Sequence, residues 1–207
     1  MNAQEALQQV ADEVVVCQKC PLHHSRKNAV PGSGPASADI MFIGEGPGFH
    51  ENEQGLPFVG AAGRFLDELL NDIGMRREEV FITNVVKCRP PGNRDPEPEE
   101  LAACDPYLER QIRAINPKVI VTLGRYSMAK FLSNVKISQV HGQPRLVNGR
   151  LIVPMFHPAA ALHQGSLRPV IQADFARLPE LIARSQQTEN LPDKDEDQEN
   201  PQQLSLF

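Results

Sequence analysis

The stretch DIMFIGEGPG (residues 39–48) joins a short β-rich run at 39–43 to a glycine-rich turn. Three more β-rich runs follow along the chain, at 80–85, 118–123 and 151–156. Each run is too apolar for a half-exposed strand, which indicates strands of a parallel sheet that is covered on both faces. Helical patterns lie around these runs, at 2–16, 61–73, 97–115, 125–132 and about 169–184. This alternation predicts an α/β protein, a three-layer α/β/α fold around a central, mainly parallel four-stranded sheet.

The composition separates a body from a tail. The chain has 207 residues, 41% of them hydrophobic, which suits one domain with an ordinary core. Residues 186–207 carry six acidic residues and one basic residue, so this tail accounts for the whole net charge of −5. A neutral body still permits nucleic-acid binding, because that needs only a local basic patch. We predict a body at 1–185, a disordered acidic linker at 186–202 and a terminal peptide at 203–207.

The sequence has no signal for secretion or membrane insertion. Its start has no basic residues before an apolar run, and no stretch approaches the roughly 20 apolar residues of a membrane span. We therefore expect a cytoplasmic protein with no membrane partner. Disulfides are rare in that compartment, so paired cysteines there more often bind metal or do redox chemistry.

Four cysteines give the strongest metal-binding signal. Cys17 and Cys20 are spaced C-x-x-C after the first helix, Cys88 follows the second strand, and Cys104 lies in or near the third helix. The alternative is a set of buried thiols, because free cysteine is often just a small apolar residue. Spacing alone does not separate zinc from an iron–sulfur cluster, since both accept four thiolates.

Polar or glycine-rich residues follow every predicted strand. The first strand runs into Gly44–Gly48, the second carries Asn84 near its end, the third ends at Gly124, and the fourth ends at His157. Taken singly, each is an ordinary turn, cap or hydrogen-bonding residue. Ligands of open α/β sheets bind outside the carboxyl ends of the strands, so the convergence of these residues on one edge predicts a site there.

Five ordered motifs resemble those of the family 4 uracil-DNA glycosylases, the iron–sulfur branch of that superfamily. The motifs are GEGPG (44–48), PFVGAAG (57–63), TNVVKCRPPGNRDP (83–96), TLGR (122–125) and HPAA (157–160). The resemblance covers about residues 10–183 and implies excision of uracil from single- or double-stranded DNA, which leaves an abasic site. It also implies that the four cysteines hold a [4Fe–4S] cluster.

The resemblance assigns roles in a pocket for a base that is flipped out of the DNA. Phe58 is expected to stack on uracil, and Asn84 to read O4 and N3–H, a pattern that cytosine does not match. Glu51 is expected near C5, where it helps to exclude the methyl group of thymine. His157 is expected to donate to O2 as the base leaves as an anion. The glycine-rich turn completes the substrate-binding wall with Gly44, Gly46 and Pro47.

One position departs from the better-known branch of the superfamily, in which the first motif carries an aspartate that handles the attacking water. Gly46 stands at that position here, as is usual in family 4. The adjacent Glu45 is therefore our candidate for orienting the water or stabilising the cationic sugar.

The resemblance further implies a DNA-binding surface. Arg89, Asn93 and Arg94 lie between the third and fourth cysteines, so a cluster there would pin a loop that contacts the DNA backbone. In the segment after the histidine motif, Leu162 is expected to fill the gap left by the flipped base, and Arg168 to bind a phosphate.

The chain ends on Gln203, Leu204, Ser205, Leu206 and Phe207. This end resembles the short peptide with which many bacterial replication and repair proteins bind the sliding clamp. The alternative is a chance apolar end on a disordered tail. Two leucines and a phenylalanine suit a preformed apolar pocket, so we expect the DNA polymerase sliding clamp as a partner. We also expect a bacterial, nucleoid-associated monomer.

Two other functions stay open from the sequence. One is a superfamily relative that traps DNA covalently through a basic, histidine-containing loop, although the segment PPGNRDPEP (90–98) has no histidine. The other is a non-catalytic, metal-stabilised module that only binds DNA or uracil. The joint presence of Asn84 and His157 argues against this second alternative.

Overall fold

The computed structural model describes residues 1–188, with side chains as far as Arg184. Its strands are β1 (Ile40–Gly44), β2 (Phe81–Asn84), β3 (Val119–Leu123), β4 (Arg145–Val147) and β5 (Arg150–Met155). They form one sheet in the order β2-β1-β3-β5-β4. All the pairings except β4 with β5 are parallel, so four carboxyl ends share one edge of the sheet.

The sheet has five strands, so the prediction of four is wrong by one edge strand. β4 pairs antiparallel with β5 through a hairpin. Asn148 and Gly149 form its turn, with φ angles of 50° and 71°. An Asn-Gly pair in the left-handed region is the favoured two-residue hairpin turn. β4 itself is three residues long and mostly exposed, so it gave no apolar pattern to find.

Helices cover both faces of the sheet, which confirms the three-layer α/β/α prediction. The α-helices of the described residues are α1 (Ala3–Val16), α2 (Phe49–Gln54), α3 (Ala61–Asp72), α4 (Pro98–Ile115), α5 (Arg125–Ala129), α6 (Ile137–Val140), α7 (Pro158–His163), α8 (Leu167–Ala176) and α9 (Leu178–Thr188). Helices α3, α8 and α9 pack with Phe42 and Val121 on one face. Helices α1 and α4 pack with Met41 and Ile120 on the other face. Neighbouring residues of one strand therefore enter different cores, and both must be apolar.

The last helical segment differs from its prediction. The sequence predicted one helix at about 169–184, whereas the chain forms α8 and α9 on either side of Arg177. Pro179 explains the break, because proline fits the first turn of a helix but would remove a hydrogen bond from its middle. The backbone of α9 continues to Thr188, into the segment predicted as linker. The rest of that predicted linker and the terminal peptide lie outside the described residues.

Two short helices that the sequence did not predict stand at the carboxyl edge of the sheet. Helix α2 follows the glycine-rich turn after β1, and α7 follows His157 after β5. These helices carry the chain away from the strand ends and leave a cavity between them. Among the described residues, no helix has the length and apolar character that a bilayer crossing requires.

Candidate active site

The carboxyl edge of the sheet surrounds a cavity of about 490 Å³. Its wall includes most of the residues predicted for the site: Glu45, Gly46, Pro47, Glu51, Phe58, Asn84, Asn93, Arg94 and His157. They come from the segments after β1, β2 and β5 and from the segment before α3. The structure therefore brings Asn84, His157 and the turn after β1 together at this edge, as the strand-end pattern predicted. The other predicted residues of the wall rest on the family resemblance alone.

Gly44 lies behind this wall and allows two of its side chains to approach each other. A Cβ atom at Gly44 would lie 2.4 Å from Asn84 Oδ1 and 2.7 Å from Phe58 Cζ. Gly44 and Asn84 are also register partners at the ends of β1 and β2. Any larger residue at position 44 would displace both side chains from the cavity wall.

Asn84 is almost fully buried, with 1% of its surface exposed. Its Oδ1 atom accepts no hydrogen bond within the described residues. A buried acceptor without a partner is uncommon, because it loses its hydration and gains nothing in return. The Asn84 Oδ1 atom can therefore accept a hydrogen bond from a ligand that enters the cavity.

Phe58 is held in an unusual backbone conformation, with a φ angle of 50°. Its ring stacks on the imidazole of His157, with centroids 5.4 Å apart and an interplanar angle of 27°. Gly63 in α3 makes this arrangement possible, since a Cβ there would lie 1.9 Å from the Phe58 carbonyl oxygen. Close packing of α3 thus fixes the aromatic face of the cavity.

Glu51 braces the loops on both sides of Phe58. Its carboxylate accepts hydrogen bonds from the backbone N–H groups of Gly48, Val59 and Gly60, at 3.1, 2.9 and 2.8 Å. Sequence reasoning missed this role, because the donors lie up to nine residues away along the chain. The carboxylate also lines the cavity, so the predicted exclusion of thymine stays a prediction for the same residue.

His157 is the N-cap of α7 and presents a neutral imidazole to the cavity. Its Nδ1 atom accepts a hydrogen bond of 3.1 Å from the Ala159 backbone N–H. Burial lowers the pKa of His157 to about 4, and the nearby Glu51 carboxylate opposes this only in part. At neutral pH the single ring proton therefore resides on Nε2, which becomes a hydrogen-bond donor.

Glu45 is a half-buried carboxyl in the cavity wall. Burial raises the pKa of Glu45, the Asp95 carboxylate raises it further, and Arg125 opposes both effects. Asp95 itself lines the cavity and forms an ion pair with Arg125. A carboxyl whose pKa lies above its ordinary range accepts a proton more readily, which suits a group that orients or deprotonates water.

Lys87 is a buried cation. It lies within the motif at 83–96, but nothing in the sequence assigned it a role of its own. Its Nζ atom donates to Thr83 Oγ1 at 2.6 Å, to the Asn84 carbonyl at 2.9 Å and to Gln111 Oε1 at 2.7 Å. Burial lowers the pKa of Lys87 to about 8. These three acceptors fix the end of β2 beneath the Asn84 side chain.

The four cysteines line a second, smaller cavity between α1, α4 and the segment after β2. The Lys87 backbone N–H donates to Cys104 Sγ, and Arg26 Nη1 donates to Cys88 Sγ, both at 3.2 Å. Burial raises the pKa of Cys104 to about 11 and also raises the pKa of Cys88. Within residues 1–188, no three acidic, histidine or cysteine side chains are grouped closely enough for a single metal ion.

The residues predicted to bind DNA near the cysteines are partly engaged within the protein. Arg89 Nε donates to Asn93 Oδ1 at 2.7 Å. Arg94 forms a two-pronged contact with Glu100, at 2.9 and 2.7 Å, and Glu100 is 1% exposed. Arg94 therefore stabilises the start of α4. It could contact DNA only by sharing its guanidinium group between a phosphate and Glu100.

The two residues predicted to bind DNA after the histidine motif lie on the surface. Leu162 in α7 is 48% exposed, an unusual position for a large apolar side chain. Arg168 contacts Glu68 Oε2 at 2.5 Å, and its guanidinium carbon lies 4.2 Å from the centroid of the Phe65 ring. Neither residue lines the cavity. Their predicted contacts with DNA would therefore be made on the surface outside the cavity.

Comparison with known proteins assigns the chain to a family. The family described as the uracil DNA glycosylase superfamily matches residues 31–177. A type-4 uracil-DNA glycosylase of Saccharolobus solfataricus is 50% identical over 184 residues, 84% of this chain and 85% of that protein. The type-4 enzyme of Archaeoglobus fulgidus is 46% identical over 89% of this chain and 97% of its own length. The type-4 enzyme of Thermotoga maritima is 45% identical over 87% and 97%. The chain therefore belongs to the uracil-DNA glycosylase superfamily.

Proposed function

We propose that this chain is a uracil-DNA glycosylase that hydrolyses the N-glycosidic bond of flipped-out deoxyuridine in DNA. Water adds to the sugar carbon, uracil leaves, and an abasic site remains for base excision repair. The observation that carries the proposal is Asn84 Oδ1, which has no hydrogen-bond partner among the described residues and lies in a cavity that also contains a neutral His157. The similarity to type-4 enzymes over most of the chain supports the same activity.

Asn84 reads the edge of the base in this proposal. Its Oδ1 accepts from uracil N3–H, and its amide donates to uracil O4. Cytosine has no proton on N3 and carries an amino group in place of O4, so both contacts fail. A buried polar group left unpaired costs about 1–3 kcal/mol, which is enough to make the pocket selective for uracil. Phe58 supplies the flat face on which the base stacks, and Glu51 excludes the thymine methyl group.

His157 stabilises the leaving base. The Nε2–H of the neutral imidazole donates to uracil O2, where negative charge develops as the glycosidic bond breaks. Because His157 stays neutral, it donates a hydrogen bond to the leaving base and does not act as a general acid. Glu45, which belongs to the same cavity wall, orients the attacking water or stabilises the cationic sugar. Gly44, Gly46 and Pro47 shape the turn that carries this carboxyl.

The surface around the cavity binds DNA in the same proposal. Arg89, Asn93 and Arg94 lie along the backbone, Arg168 contacts a phosphate, and Leu162 enters the space left by the flipped base. The exposure of Leu162 supports its role as a wedge. A monomeric enzyme is part of the same proposal.

We further propose that the four cysteines hold a [4Fe–4S] cluster. Four thiols around one cavity, with N–H donors on three of the sulfurs, suit the ligand set of such a cluster. The cluster would supply a cross-link between α1, α4 and the loop that carries Arg89 and Asn93. This chain's own contribution is to shield the thiolates and to hold that loop against the cavity.

The terminal peptide Gln203–Phe207, which lies outside the described residues, is proposed to bind the sliding clamp. Its apolar residues would fill a pocket on the clamp, and tethering would raise the concentration of the enzyme near newly made DNA. The support for this proposal is the sequence of the peptide and the acidic segment that precedes it. A cytoplasmic, nucleoid-associated enzyme is part of the same proposal.

The excision activity is tested with oligonucleotides that contain one uracil. We expect His157→Ala to lower kcat by about 10²–10³-fold, because one donor to developing charge is lost. We expect Asn84→Ala to lower kcat/KM for uracil, and to lower the ratio of kcat/KM for uracil to kcat/KM for cytosine. Leu146→Ala, an exposed residue on β4, is the matched control and should leave both unchanged. Intact uracil DNA after incubation with the cluster-loaded wild-type protein would contradict the proposed function.

The protonation of His157 is tested by following its ring nitrogens with NMR between pH 4 and pH 8. The pKa of about 4 lies below the ordinary value of about 6.5, so we expect the imidazole to stay neutral throughout most of this range. Between these two values the unfolded chain binds a proton that the folded chain does not. His157 therefore lowers the stability as the pH falls from about 6.5 towards 4. A ring that titrates near pH 6.5 would rule out a permanently neutral donor.

The cluster is tested by metal analysis of anaerobically purified protein. We expect iron and acid-labile sulfide in equal amounts together with visible absorbance, and we expect Cys104→Ser to lower all three. We also expect this variant to melt at a lower temperature, since it loses a cross-link between three segments. Stoichiometric zinc without sulfide would exclude the iron–sulfur assignment.

The clamp-binding peptide is tested by deletion of residues 203–207. We expect the deletion to abolish capture of the protein by immobilised sliding clamp, while excision on short oligonucleotides continues at the wild-type rate. Clamp capture that survives the deletion, or excision that is lost with it, would contradict a separate docking peptide.

A further inference from the structure

An exposed aromatic side chain stands at the rim of the cavity. Phe49 is 52% exposed, although phenylalanine is a residue type most often found in protein interiors. It is the first residue of α2 and directly follows Gly48, which lines the cavity. No role in reading uracil requires Phe49, because Phe58 and Asn84 already supply the face and the edge.

A cationic side chain from a different segment lies over the Phe49 ring. The guanidinium carbon of Arg89 is 5.3 Å from the ring centroid. Arg89 is held by Asn93, whose Oδ1 accepts from Arg89 Nε at 2.7 Å. Gly48, Pro90 and Asn93 all line the cavity, so the Phe49–Arg89 pair is attached to residues of the cavity wall on both of its segments.

The free donors of Arg89 distinguish this pair from the other arginines around the cavity. Arg94, Arg125 and Arg168 each contact a carboxylate. Arg89 forms no ion pair with any residue in 1–188, and its hydrogen bond to Asn93 uses Nε alone. Its two Nη groups are therefore available to an anion that comes from outside the protein.

An aromatic face beside an uncompensated guanidinium matches the chemistry of single-stranded nucleic acid. Every nucleobase has a flat π-face that stacks on an aromatic side chain, and each nucleotide also carries a phosphate for a cation. An apolar protein partner would use the ring but would leave the Arg89 charge without a counter-charge. The pair therefore fits a nucleotide better than it fits a hydrophobic peptide.

We propose that Phe49 and Arg89 form a stacking subsite for the unpaired base next to the flipped uridine, with Arg89 binding an adjacent phosphate. This inference rests on the proposed function, since it places the subsite beside the uracil pocket. In single-stranded DNA the neighbouring base is free to stack on Phe49. In a duplex that base must first leave its own partner, which costs a few kcal/mol. The subsite therefore favours uracil in single strands.

The experiment measures KM and kcat on single-stranded oligonucleotides with one uracil. Three substrates are compared. In the intact strand both neighbours of uracil carry bases, and in the other two strands either the 5′ or the 3′ neighbour is replaced by an abasic spacer. We expect Phe49→Ala to raise KM about tenfold on the intact strand with little change in kcat, because base stacking is lost. On the strand whose spacer removes the stacked base, Phe49→Ala and the wild type should have equal KM. Phe49→Trp should retain the wild-type KM, and Leu146→Ala is the control for loss of an exposed apolar residue.

Two results would overturn the subsite. One is an unchanged KM in Phe49→Ala on the intact strand. The other is a rise in KM that stays the same on all three strands, because the ring would then act without a base. Binding of the same strands with thymine in place of uracil, measured by fluorescence anisotropy, separates this inference from the proposed function. Wild-type protein that excises no uracil would sink the proposed function, whereas the stacking subsite would still predict tighter binding of the intact strand than of one spacer strand.

Discussion

The close approach of Asn84 and Phe58 across Gly44 is the constraint on which the cavity depends. The ends of β1 and β2 stand in register, and a Cβ atom at Gly44 would lie 2.4 Å from Asn84 Oδ1. A glycine here lets a polar edge and an aromatic face meet at one wall of the pocket. Gly63 does the same for the Phe58 backbone from the side of α3. The absence of a side chain at Gly44 and at Gly63 thus leaves the space in which Asn84 and Phe58 line the cavity.

The Asn84 side chain also needs a rigid backbone, and Lys87 supplies it. The ammonium group donates to the Asn84 carbonyl, while the Lys87 backbone N–H donates to Cys104 Sγ. A single buried residue therefore contacts both Asn84, in the wall of the larger cavity, and the cysteine cavity. A cluster bound to the cysteines would hold this residue through its backbone and would place negative charge near the ammonium group. Through Lys87 the cluster would stabilise the pocket without taking part in the chemistry.

The sequence predicted the parts of the site that follow from sheet geometry. Parallel strands expose their carboxyl ends on one edge, so Asn84 and His157 were expected together and are found together. Lys87 was missed because lysine is mostly exposed and its burial depends on acceptors in β2 and α4. The bracing role of Glu51 was missed for a similar reason, because its three N–H donors gather only after the chain folds around Phe58.

The local chemistry of His157 likewise emerges only from the fold. A histidine after a strand gives no indication of its charge, whereas the Ala159 N–H at Nδ1 and burial in the wall make it a neutral donor. The edge strand β4 escaped prediction because three mostly exposed residues carry no apolar pattern. The sequence therefore predicted least well the features that depend on contacts formed only in the fold, and the short strand whose own residues carry no apolar pattern.

The most direct test of the central claim is the rate of excision of uracil compared with N3-methyluracil in the same oligonucleotide. Asn84 Oδ1 is proposed to accept a hydrogen bond from uracil N3–H. Methylation of N3 removes this donor and adds a methyl group that clashes with Asn84. The wild-type protein should release uracil and leave N3-methyluracil in place, and Asn84→Ala should lose most of this difference. Release of both bases at similar rates by the wild-type protein would contradict the claim.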